Sequence, residues 1–194
     1  MSSIPASTAT KHTTRVALFA AVMASSAFIR IPLGPVPLTM QTFVAITAGY
    51  VLGARDGAYS TLLYTGVGLA GIPIFASGGG PGYVMSPTFG YIIGFTAAAA
   101  VTGFLARFNR RSSSATAYLL MLPGLAALYV CGLAWLTVSL NWIAETPLSM
   151  TIIIRTGLLI PAADDLVTLV PAAIISVRLR KILRRQENLV HDLG

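Results

Sequence analysis

Two adjacent acids, Asp164 and Asp165, stand in a run that is otherwise apolar as far as Val177. A carboxylate in apolar surroundings is costly unless it is hydrogen-bonded. Two uses follow. Either one acid accepts hydrogen bonds from a captured ligand, or the pair reaches an aqueous boundary and is simply solvated. Neighbours on a helix point about 100° apart. The two acids therefore cannot face each other and share a proton, as paired catalytic carboxylates do. The remaining inventory is equally poor in catalytic chemistry. His12 and His191 lie in polar end segments, and Cys131 is a lone thiol in an apolar run. This implies no nucleophile–base pair, no metal ligands, no cofactor and no intrachain disulfide, so an enzyme is not expected. Arg155 interrupts an apolar stretch upstream and reads equally as an ion-pair partner for an acid or as an interface anchor.

A second group surrounds the glycine-rich stretch Ser77-Gly78-Gly79-Gly80-Pro81-Gly82. It lacks the Gly-Lys-Ser/Thr ending of a phosphate cradle, so the chain is not expected to hydrolyse ATP itself. Tyr83, Thr88 and Tyr91 follow it. They read either as interfacial aromatics or, beside a glycine loop and two acids, as part of a lidded pocket. A third feature is a run of small residues, with Ala17, Ala21 and Ser25, and Ala20 and Ala24, at four-residue spacing. Small faces let helices approach closely in lipid. The face serves either packing within the bundle or docking of a partner.

The elements that carry these residues follow from composition. Of 194 residues, 55% are hydrophobic and 10% charged, whereas soluble domains carry about 25% charged residues. The expected fold is an all-α integral membrane bundle of six helices at 15–31, 38–53, 57–75, 87–106, 115–140 and 162–180. A polar tail is expected over 1–14 and a basic, polar tail over 181–194. A short or re-entrant helix is expected at 148–160, and a tight polar turn at Arg55-Asp56-Gly57. The net charge of +7 is spread in short clusters between apolar runs, which argues against nucleic acid. With the termini and the 2–3 and 4–5 loops on one side, that side holds Lys11, Arg15, Arg55, Arg107, Arg110, Arg111, Arg178, Arg180, Lys181, Arg184 and Arg185, and the other holds Arg30 and Arg155. This asymmetry predicts a multi-pass protein of a bacterial plasma membrane with both termini cytoplasmic.

Four stretches carry a resemblance to a known family. They are Pro35-Val36-Pro37-Leu38-Thr39-Met40-Gln41-Thr42, Leu52-Gly53-Ala54-Arg55-Asp56-Gly57, Gly71-Ile72-Pro73-Ile74-Phe75 with the glycine loop after it, and Pro87-Thr88-Phe89-Gly90-Tyr91-Ile92-Ile93-Gly94-Phe95. Over roughly 15–185 the chain resembles BioY, the biotin-capturing S component of energy-coupling factor (ECF) transporters. The resemblance implies six helices, capture of biotin at the outer face and delivery inward by an ATP-driven module. Its partners would be a transmembrane coupling subunit and two ATPase subunits. It also implies docking on that subunit through span 1, where Ala20 and Ala24, or Ala17 and Ala21, fit. The alternatives are an S component for another vitamin, or a solitary ion-coupled carrier. The scarcity of mid-span charges disfavours the carrier.

The resemblance also nominates a ligand site. Asp165 stands at the family's acid position and is expected to accept the ureido N–H groups, with Asp164 second. Gln41, Thr88 or Tyr91 would donate to the ureido carbonyl, and Tyr83 would cover the ring. Thr168 stands where the family carries a lysine, and Ile92 where some members carry arginine. The carboxylate tail is therefore expected on backbone amides of the glycine loop, around Gly79 and Gly80.

Overall fold

The computed structural model describes residues 8–32, 36–109, 113–143 and 149–192. These residues form six helices: α1 (Thr8–Ser26), α2 (Gln41–Leu52), α3 (Ala54–Leu69), α4 (Phe89–Ala106), α5 (Ser114–Val138) and α6. Helix α6 is continuous, with Met150–Ile154 passing through a π turn at Arg155–Leu159 into Ile160–Asp192. By length and apolar character Phe89–Ala106, Ser114–Asn141 and Met150–Leu183 can each cross a membrane, and α2 is a shorter apolar helix. The protein is thus a multi-pass membrane protein.

Helix α4 is central, packing most extensively on α5 and then on α2 and α3. Helix α6 closes against α2 and α5, and α1 lies on α3 and α2. Small residues allow this closeness. A Cβ placed on Gly94 of α4 would lie 2.8 Å from the Leu128 carbonyl oxygen of α5, and Gly49 of α2 abuts the Ala99 backbone of α4. In lipid such backbone approach is what holds helices together, because the tails are as apolar as leucine. Large apolar side chains such as Leu18, Leu62, Phe104, Leu119 and Val167 point outward.

Between α1 and α2 the chain forms a two-stranded antiparallel ribbon, β1 (Arg30–Ile31) with β2 (Leu38–Thr39), in the register Arg30↔Thr39 and Ile31↔Leu38. Between α3 and α4 a bridge pairs Phe75 with Gly78, and a 3-10 turn spans Pro81–Met85.

Several expectations need correction. Helix α1 starts at Thr8 and α6 runs to Asp192, inside stretches read as tails. Arg55-Asp56-Gly57 is the first turn of α3, and the chain reverses at Gly53 (φ 89°). Helix α3 stops at Leu69, before the positive φ of 112° at Gly71. The re-entrant element at 148–160 is the first part of α6. Its buried positions Ile153, Gly157, Pro161, Asp165, Leu169 and Ala173 recur every four residues. Each four-residue step overshoots one α-helical turn by about 40°, so a plain helix would carry this stripe around its surface. A π turn takes up an extra residue and keeps Ile153 and Asp165 on one face. On α1, Ala20 and Ala24 turn into the bundle while Ala17, Ala21 and Ser25 stay exposed. The exposed small residues of α1 are therefore the second set, with Ala24 partly buried.

Candidate ligand-binding pocket

A pocket of about 530 Å³, measured to include its open mouth, lies between β2, the start of α2, the 70–88 segment, α4, α5 and α6. Its apolar walls are Val36, Ile92, Phe95, Leu128 and Pro161, and its aromatic walls are Tyr83, Tyr91 and Tyr129. This is the usual form of a small-molecule site, an apolar cleft with a few placed polar groups.

The polar groups are held before any ligand arrives. Asp165 is only 6% exposed, and the Tyr129 hydroxyl donates to its Oδ2 at 2.5 Å. One carboxylate oxygen is thereby fixed, and an aromatic ring braces the acid. Tyr91 stands edge-on to Tyr129, with centroids 6.2 Å apart. Its own hydroxyl donates to the Gly157 carbonyl at 2.6 Å, inside the π turn of α6. Gly157 has no room for a side chain, since a Cβ there would lie 2.9 Å from that hydroxyl oxygen. Tyr91 thus ties α4 to the irregular turn that sets the register of Asp165.

Across the pocket Gln41 is buried. Its Oε1 accepts from Thr39 Oγ1 at 3.2 Å, and its Nε2 donates to the Tyr64 hydroxyl. On the 70–88 side of the lining Tyr83 and Thr88 share a hydrogen bond of 2.9 Å, and Thr88 shares another with Ser86 at 3.0 Å. The 70–88 segment is pinned at several points. Gly80 N donates to Gly68 O at 2.8 Å, Trp135 Nε1 to Ser86 O at 3.0 Å, and Ser139 Oγ to Met85 O at 3.0 Å. Phe75 is buried between Tyr64 and Tyr83. The charged residues of the lining are Asp164 and Asp165, and no lysine or arginine is among them. Among the described residues no group of three or more His, Cys, Asp or Glu converges. Chemically, the lining offers carboxylate acceptors beside aromatic and apolar walls.

A model of the BioY family matches residues 1–185. The chain belongs to the BioY family. The probable biotin transporter BioY of Lysinibacillus sphaericus is 37% identical over 171 residues, which cover 87% of this chain and 86% of that protein. The biotin transporter BioY of Thermotoga maritima is 34% identical over 169 residues, covering 87% and 95% respectively. A crystal structure of the S component for biotin from an ECF-type ABC transporter has the same fold, with a TM-score of 0.78. It is 24% identical, and the match covers 92% of this chain and 95% of that one.

Of the residues nominated from the BioY resemblance, Asp165, Asp164, Tyr83, Thr88, Tyr91 and Gln41 all line the one pocket. Three do not. Thr168 turns back on its own helix, its Oγ1 donating to Asp165 O at 3.1 Å. Gly79 and Gly80 lie outside the lining. The Gly80 amide is taken by Gly68 O and the Gly78 amide by Phe75 O, so those amides are not offered to an anion. The role foreseen for Tyr91 also changes, because its single hydroxyl proton is committed to Gly157. Arg155 is exposed, and among the described residues it joins no ion pair. Sequence reasoning missed Tyr129, Thr42, Thr39, Val36 and Pro37 as lining residues. Four of these belong to the Pro35–Thr42 motif and were within reach. Tyr129 carries no local signal, because only the packing of α5 on α6 sets it against Asp165.

Proposed function

We propose that this chain is a substrate-capturing S component that binds biotin. The observation that carries the reading is the buried Asp165, braced by Tyr129, at the polar end of an apolar pocket in a BioY-family chain. Biotin has two ureido N–H donors, a carbonyl acceptor, an apolar sulfur ring and a carboxylate tail. Asp165 accepts the ureido N–H groups, and Asp164, which is half-buried beside it, is the second acceptor. Tyr83, Tyr91 and Tyr129 enclose the ring. Thr88 and the second N–H of Gln41 are the donors within reach of the carbonyl. The test is titration of the purified protein with biotin and a panel of other vitamins. Tight binding of biotin alone is expected. Binding of another vitamin in its place would keep the S-component role and overturn the ligand.

As an S component the chain relies on an external motor for transport. In this reading the chain delivers biotin with a transmembrane coupling subunit and two ATPase subunits. The exposed Ala17–Ala21 face of α1 supports docking on that subunit by close helix approach. Ala17→Leu or Ala21→Leu should abolish co-purification with a coupling subunit and leave biotin binding unchanged. Unaltered co-purification rules this face out.

The cation asymmetry supports cytoplasmic termini, with the pocket opening outward. Single cysteines at exposed Ser77 and Arg107, in a Cys131→Ser background, should label from opposite sides of the membrane. Asn109 is unsuited to this test because it is buried, with Nδ2 donating to the Tyr50 hydroxyl at 2.7 Å. Labelling of Ser77 from the cytoplasm would invert the orientation.

A further inference from the structure

The pocket lacks a cation for an anionic ligand. Its charged lining residues are two carboxylates, and an anion held near them is repelled. Thr168 is turned onto its own helix, position 92 is an isoleucine, and the amides of Gly78 and Gly80 are already hydrogen-bonded within their loop. On the pocket side of the protein, the charge count leaves two cations, Arg30 and Arg155. Arg155 belongs to a different surface of α6, with Ile154, Leu159 and Ala163 around it. That surface lies away from the buried stripe that carries Asp165.

Arg30 is placed differently. It begins β1, and the ribbon register sets it directly across from Thr39 of β2. Directly opposed residues of an antiparallel pair project from the same face of the ribbon, with Cα atoms about 4.5–5.5 Å apart. Thr39 lines the pocket and donates to Gln41, itself a lining residue. A further backbone bond, Met40 N to Ile29 O at 3.3 Å, joins the base of the ribbon to the start of α2. Arg30 is exposed, and among the described residues it joins no ion pair. Arg30 is itself outside the lining, and the ribbon register sets this exposed residue next to the lining residue Thr39.

We propose that Arg30 receives the carboxylate tail of the ligand at the pocket mouth. This rests on the biotin reading above and adds a division of labour. Asp165 selects the N–H donors at the buried end, and Arg30 selects a negative tail at the open end. A guanidinium suits the second task because its fork of donors matches a carboxylate. The site then discriminates by sign of charge along its length, with acids deep and the cation at the rim.

The test compares biotin with biotinamide, which has the same ring and a neutral tail, on the wild-type protein, Arg30→Gln and Arg30→Lys. The rim is wet, so the effect lies between that of an exposed ion pair and that of a buried charged hydrogen bond. The wild-type protein should prefer biotin about three- to thirtyfold. Arg30→Gln should remove that preference by weakening biotin and leaving biotinamide unchanged, and Arg30→Lys should restore part of it. Raising the salt should narrow the wild-type preference. Equal weakening of both ligands would make Arg30 a prop for the ribbon and overturn the proposal. Unchanged biotin affinity in Arg30→Gln would overturn it as well. A wild-type protein that binds neither compound would overturn the biotin reading and this proposal together. That outcome is distinct from failure of Arg30 alone, in which wild-type biotin binding persists.

Discussion

The two ends of the bundle use polar side chains differently. Around the pocket several bond to one another, while Tyr91, Trp135 and Ser139 bond to backbone carbonyls. Tyr129 meets Asp165, Thr39 meets Gln41, and Tyr83 meets Thr88. At the far end they bond largely to backbone and close the structure. Arg180 of α6 donates to the carbonyl of Ala106 at the end of α4, at 2.7 Å, and lies over the Tyr50 ring of α2 at 5.3 Å. Asn109 donates to the Tyr50 hydroxyl at 2.7 Å and to Ser113 O at 2.8 Å. Side-chain pairs can exchange partners when a ligand supplies a better one. At the end of α4 the Ala106 carbonyl accepts from both Arg180 and the Asn109 amide, which closes the last turn on α6. In the proposed reading the pocket end serves recognition, and Arg180 helps to hold α2, α4 and α6 together.

Substitutions can break this contrast, starting with the largest expected effect. Asp165→Asn keeps the shape of the site and removes the charge that, in the proposed reading, strengthens the ureido bonds by about 1.5–3 kcal/mol. Biotin affinity by calorimetry should fall about ten- to a hundredfold. Intact binding would mean that the acids are not the recognition end. Arg180→Met keeps the apolar stem and removes one of two bonds to Ala106 O, which the Asn109 amide still meets at 3.2 Å, at a cost of about 1 kcal/mol. Thermal unfolding in detergent should come earlier while biotin affinity stays within about twofold of wild type, a difference under 0.5 kcal/mol. A large loss of affinity there would show that the two ends are coupled.

Two tyrosine-to-phenylalanine changes sharpen the comparison further. Tyr129→Phe keeps the aromatic wall and frees Asp165 Oδ2, so affinity should drop about three- to tenfold for a bond worth about 1 kcal/mol. Tyr50→Phe removes a hydroxyl of the same kind at the other end. Asn109 retains Ser113 O, so the loss should be about 0.5–1 kcal/mol of stability, with no change in binding. If both variants changed only stability, the hydrogen bond to Asp165 would be structural and not part of recognition.

Much of this was legible in the sequence. Asp164 and Asp165 announced a site because ionised groups in an apolar run need a reason to be there. The Pro35–Thr42 and Pro87–Phe95 stretches marked the segments that meet at the pocket. The places where the reading failed share a cause. Arg155 and Pro161 made 148–160 look like a separate element, because a charge and a proline each suggest a break. A π turn has no sequence signature of its own, and its presence here depends on neighbours. Tyr91 bonds to Gly157, and that glycine leaves room for the hydroxyl.

By itself the sequence determined the membrane class and the six helices, and it marked two acids in an apolar run as candidates. Apolar run length and the cost of a lone carboxylate are local properties, read without knowing what packs where. Tertiary structure alone decided which small face of α1 stays outside, that Thr168 turns onto its own helix, that the amides of Gly78 and Gly80 are spent, and that Tyr129 braces Asp165. It also set Arg30 across from Thr39. These are relations between segments distant in the chain, and periodicity within one helix or strand carries no information about the neighbour it will meet. The register of a ribbon and the π turn of α6 settle which side chains share a cavity, because a shift of one residue in either would turn a lining residue outward.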